Sequence, residues 1–125
     1  MRFCIPRFSL INCRSAIVKA LAVLGAITIS ATATAGSSTN VTITQIFVGN
    51  SYGSLLFIAV TSKTGNPACN TNATYNFVLP LTTALENQML AVLLSARATG
   101  ATVTLTGNGL CDQFSNVETL ENVSY

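Results

Sequence analysis

The chain contains no histidine, which removes Ser-His and Cys-His nucleophile pairs and every imidazole metal ligand. Its acids are Glu86, Asp112, Glu118 and Glu121. Glu118 and Glu121 stand three apart in a stretch of strand-like composition, so their side chains are expected on opposite faces. A carboxylate pair for glycoside hydrolysis would then need Glu86 or Asp112 to approach one of them from elsewhere in the fold. Asp112, directly after Cys111, reads as a turn former, and Glu86 reads as a helix cap. Gly107-Asn108-Gly109 follows a strand pattern but opens no helix, which makes it a turn and not a phosphate loop. These residue types predict no cofactor, no metal site and no enzyme; they point to a binding or assembly protein.

The elements that would position such residues begin after a leader. Arg2, Arg7, Arg14 and Lys19 precede the apolar run Ala20–Ile29, and Ala33-Thr34-Ala35 supplies the small residues of a signal-peptidase site. The apolar run is about ten residues, too short to span a bilayer of about 30 Å. Residues 1–35 are therefore expected to be a signal peptide and residues 36–125 a single domain, secreted or periplasmic, with no membrane span in its mature form. Downstream only Lys63 and Arg97 oppose the four acids, a net charge of −2. Two separated cations cannot neutralise a run of phosphates, which argues against nucleic acid as a partner. Cys4 and Cys13 leave with the leader, so Cys69 and Cys111 are the pair expected to form a disulfide in an oxidising compartment.

Residues 41–48 are rich in β-branched side chains and read as a strand ending at the turn Gly49–Gly53. Residues 54–61 (SLLFIAVT) form a continuous apolar run of strand length, covered on both faces. The Gly, Pro and Asn content of residues 63–72 marks a loop, and residues 75–79 form a third strand that Pro80 ends. The period then changes. Thr83-Ala84-Leu85-Glu86 matches a capping box, Leu85, Met89, Val92, Leu93 and Ala96 form an apolar stripe that Leu90 and Leu94 widen, and Gly100 stands where a left-handed C-cap is wanted. Residues 101–106 alternate threonine with apolar residues, and residues 117–125 suggest a fifth strand. The predicted fold is mostly β: a five-stranded, OB-fold-like Greek-key barrel with one α-helix between strands three and four, plus one disulfide. A small sandwich with an appended helix is the alternative.

Several segments resemble a known family. Val41-Thr42-Ile43-Thr44-Gln45, the Ala68-Cys69-Asn70 loop and the helix from Leu85-Glu86-Asn87-Gln88 to Thr99-Gly100 are similar to the subtilase cytotoxin B subunits. Leu93-Leu94-Ser95-Ala96, Gly100, Val103–Gly107, Gly109–Asp112 and Glu118, within residues 93–118, also resemble small secreted proteins of Gram-negative bacteria. The first resemblance implies a secreted OB-fold, a pentameric ring and a glycan site. In that family a serine before the first strand holds sialic acid, and Thr39 stands in its place here. The family's tyrosine after the fourth strand is replaced by Gly107.

Three functional classes follow as expectations. One is a secreted or periplasmic binding module that recognises a protein or glycan partner through the loops at 49–53 and 63–72. The second is a pentameric, toxin B-subunit-like receptor-binding protein, and the third is an envelope structural or interaction protein. The low charge of the strands leaves edges open to pairing and favours assembly, whereas exposed rings at Tyr52 and Tyr75 favour ligand binding. Thr39, Tyr52 and Tyr75 are the candidate ligand residues.

Overall fold

In the computed structural model, residues 34–125 are described and regular pairing begins at Ser37. The leader predicted over residues 1–35, including Cys4 and Cys13, lies outside the described residues except for Thr34 and Ala35. Strand β1 (Ser37–Val41) occupies residues whose polar composition hides the strand, and β2 (Ile43–Val48) follows after Thr42 alone. The first strand expected over 41–48 is β2 with only the last residue of β1, so β1 is an additional strand, and among the described residues six strands are present instead of five. Asn40 adopts φ +52°, and the register shifts between Ser38 and Val41 and again between Ile43 and Gln45. Such irregularities bend a strand and sharpen its twist.

That bend shapes the whole sheet. With β3 (Leu55–Val60), β4 (Phe77–Pro80), β5 (Val103–Gly107) and β6 (Glu118–Ser124), the spatial order is β1-β5-β6-β4-β3-β2. A flat sheet in this order would set its outer strands about 24 Å apart, at roughly 4.8 Å per strand. One intervening residue bridges only about 7 Å. The sheet must curl, and it forms a curled half-barrel in which the Thr61 N–H donates to the Thr42 carbonyl at 3.1 Å. Every neighbouring pair is antiparallel except β4 with β6, which run parallel through Phe77↔Glu118 and Val78↔Thr119.

The concave face carries the main core. Leu56, Ile58 and Val60 of β3 and Phe77 and Leu79 of β4 meet Val103 and Leu105 of β5, together with Met89, Leu93 and Ala96 from the helix α1 (Ala84–Thr99). Phe57 and Val78 point the other way, the period-2 consequence of the pleat, and join Val117 in a second cluster. Two clusters on opposite faces explain the unbroken apolar run of β3.

Helix α1 is held at both ends as its sequence predicts. Thr83 Oγ1 accepts from Glu86 N–H at 3.2 Å while Glu86 Oε2 accepts from Thr83 N–H at 2.6 Å, which completes the capping box. Gly100, at φ +71°, supplies the left-handed cap. The apolar stripe is narrower than expected: Met89, Leu93 and Ala96 are buried, but Leu85 and Leu94 are exposed. Among the described residues no helix is long and apolar enough to cross a membrane. Cys69 and Cys111 form a disulfide, with Cα atoms 6.0 Å apart, that ties the β3–β4 loop to the β5–β6 loop.

Candidate functional site

Downstream of residue 35 the chain has seven aromatic residues, and five of them meet on the convex face. Phe47 comes from β2, Tyr52 from a short 3-10 turn (Asn50–Tyr52), Phe57 from β3, Tyr75 from the loop before β4 and Phe114 from the β5–β6 loop. Phe57 is the hub. Its ring centroid lies 5.1 Å from Tyr52, 5.4 Å from Tyr75 and 4.9 Å from Phe114. Phe47 stacks on Tyr75 at 5.8 Å with an interplanar angle of 24° and meets Tyr52 edge-on at 5.7 Å. Offset and edge-to-face contacts of this kind add about 0.5–1.5 kcal/mol per pair beyond burial, so the rings form a rigid wall.

The rings, with Asn72 and Asn116, line a half-open cavity of about 260 Å³. That is slightly below the range of about 300–1,000 Å³ for drug-sized ligands, a size suited to one ring. The Asn72 amide is fixed by the loop that carries it. Asn72 Oδ1 accepts from the Thr74 and Tyr75 N–H groups at 2.9 and 2.8 Å, and Asn72 N–H donates to the Asn116 carbonyl at 3.1 Å. The disulfide joins these same two loops. Asn116 Oδ1 is buried without a hydrogen-bond partner among the described residues, an acceptor whose isolation costs about 1–3 kcal/mol.

Tyr52 and Tyr75, the ring candidates from the sequence, share this cavity. Thr39 does not line it; it is exposed on β1. Phe47, Phe57, Phe114, Asn72 and Asn116 escape sequence reasoning. Phe114 left a signal: a lone aromatic between Gln113 and Ser115 in a polar loop has no core reason to be there.

The charged residues gather elsewhere. Lys63, expected in a solvated loop, has a side chain only 3% exposed and pairs with the fully buried Glu118 at 2.6 Å. Lys63 Nζ also donates to the Asn76 carbonyl at 2.9 Å and lies 4.2 Å from the centre of the Phe77 ring. Burial pushes the Lys63 ammonium below its ordinary value, against the pull of Glu118. Glu118 Oε1 accepts from the backbone N–H groups of Gly36 and Gly109, each at 2.8 Å. Glu121 is exposed, so the two β6 acids do face apart. Asp112 accepts from the Thr119 hydroxyl, which holds its carboxyl below the usual range, with burial opposing. Among the described residues no group of three or more His, Cys, Asp or Glu is placed to hold a metal ion.

No protein-family model, curated protein or solved structure matches the chain.

Proposed function

We propose that this protein is a secreted or periplasmic, non-enzymatic binding module of the OB-fold type, whose aromatic cavity takes one sugar ring of a glycan. The observation that carries it is the convergence of Tyr52, Tyr75, Phe47 and Phe57 with the amides of Asn72 and Asn116 around one ring-sized cavity. Flat rings match the apolar face of a sugar, and side-chain amides match its hydroxyls.

The topology supports the fold part. Taken as halves of one bent strand, β1 and β2 reduce the six strands to five, with α1 between the third and fourth. In OB-folds the face of strands two and three and the loops joining strands one to two and four to five bind oligonucleotides or oligosaccharides. The cavity draws on the corresponding parts: Tyr52 from the first loop, Phe57 and Tyr75 from or beside the middle strands, and Phe114 and Asn116 from the last loop. Charge separates the two ligand classes. Lys63 is buried in an ion pair and Arg97 lies on α1, so among the described residues no cation lines the cavity to meet a phosphate.

The test is a glycan array, followed by calorimetric titration of the best ligand, on disulfide-intact protein. Tyr75→Ala and Tyr52→Ala are each expected to weaken binding at least about tenfold, and Thr39→Ala to leave it unchanged. An array with no binder refutes the glycan reading. The second reading, a pentameric B-subunit-like receptor-binding protein, draws on the exposed Thr39 hydroxyl. It requires a fivefold mass by native mass spectrometry and loss of glycan binding in Thr39→Ala.

A further inference from the structure

Gly36 is the residue that the small-residue rule places immediately after the cleaved bond, and it holds an unusual position in the fold. It is buried, whereas Thr34 and Ala35 before it are exposed. Its N–H donates to Glu118 Oε1 at 2.8 Å across a sequence separation of 82 residues, and its carbonyl accepts from Gly107 N–H at 2.9 Å. A Cβ on Gly36 would strike both the Lys63 side chain and the Glu118 carboxylate. Only glycine fits. Ser37 then pairs with Thr64 through reciprocal backbone bonds of 2.8 and 2.7 Å. Two independent readings, residue size around the scissile bond and burial in the fold, thus meet at the bond between Ala35 and Gly36.

We propose that Ala35–Gly36 is a processing site and that the α-ammonium it releases becomes a structural cation bound to Glu118. An endopeptidase of the signal-peptidase class adds water across the amide. The C–N bond breaks, the water oxygen joins the Ala35 carbonyl carbon to give a carboxylate, and both water protons end on the Gly36 nitrogen as –NH3+. The neutral N–H donor at Glu118 Oε1 becomes a charge-assisted one, shorter and roughly twice as strong. Glu118 then stands between two cations, Gly36 on Oε1 and Lys63 on Oε2, with Gly109 N–H as the remaining donor. Because the Gly36 nitrogen is buried once β1 is in place, cleavage must precede folding. The proposal shares the leader with the functional reading above but is independent of the aromatic cavity.

The experiment has two arms. The full chain is produced with export to a bacterial periplasm, and the intact mass is expected to start at Gly36; any other start, or an uncleaved chain, overturns the proposal. The Gly36-started protein is then compared with one retaining Ala35, both disulfide-intact. Isotopic reductive methylation of the Gly36 amine is expected to be at least tenfold slower in the native protein than in urea. The Ala35 amine is expected to react equally fast in both states. As a second readout, Lys63→Met is expected to lower Tm less in the Gly36-started protein, where a cation remains on Glu118, than in the Ala35-started one. A Gly36 amine that reacts at its unfolded rate, or equal Tm losses in the two forms, refutes the structural role.

Discussion

Glu118→Gln probes the buried charge with almost no change of shape. Glu118 is fully buried, and in a chain that retains Ala35 its Oε1 serves two backbone amide donors that a glutamine carbonyl oxygen can still serve. At Oε2 the substitution turns an anion into an N–H2 that faces the Lys63 ammonium from 2.6 Å. The result is a cation only 3% exposed with a donor against it. Leaving one partner of a buried pair uncompensated costs about 3–5 kcal/mol. That is a large share of the about 5–15 kcal/mol that holds a domain together. For a domain of this size the loss lowers Tm by at least about 12 °C, at about 4–8 °C per kcal/mol. Adding Lys63→Met to Glu118→Gln is expected to raise stability again, by about 1–2 kcal/mol, because the stranded charge is gone. A methionine fits over the Phe77 ring, and the Asn76 carbonyl keeps a bond from Asn70 Nδ2 at 3.3 Å. Urea unfolding followed by circular dichroism, with the slope checked for constancy, gives all the values. A Glu118→Gln loss under about 1 kcal/mol, or a double variant less stable than Glu118→Gln alone, refutes the account.

Reducing Cys69–Cys111, which closes a sequence separation of 42 residues, should cost about 4 kcal/mol in the chain-entropy model. A reductant that leaves the urea midpoint unmoved contradicts this. Thr83→Ala removes the oxygen that accepts from Glu86 N–H and should destabilise by about 1 kcal/mol in thermal melts. Bonds from the Thr82 N–H above all, then from the Thr82 hydroxyl and Thr83, hold the Glu86 carboxyl below its ordinary value of 4.5. Its contribution is therefore complete above that value and lost as the pH falls through the lowered one. Glu86→Gln should flatten this part of a Tm-against-pH curve. Gly107→Ala would drive a Cβ into the Glu118 carboxylate, an overpacking expected to cost about 1–3 kcal/mol by urea unfolding.

Legibility followed the range of the interactions. Helix α1 was readable to the residue because its signals, the Thr83 cap, Glu86 and Gly100, are local. The apolar runs of β3 and β4 were readable because both faces of those strands are covered. β1 was hidden: Ser37–Val41 is polar, and what makes it a strand is pairing with β5, far along the chain. The pairing of Glu118 with Lys63 was hidden for the same reason, since no local pattern marks an ion pair whose partners lie in separate elements. For the site, Tyr52 and Tyr75 were legible as rings in or beside polar loops, but their meeting with Phe114 depends on tertiary packing.

The edge position of β1 has a consequence for timing. Its strand partner is β5, and the Gly36 anchor needs Glu118 at the start of β6. The first strand among the described residues is thus among the last able to pair, and such non-local closure slows folding. On the proposed export route that delay would serve the chain, because its N-terminal end would stay extended until the C-terminal strands had arrived.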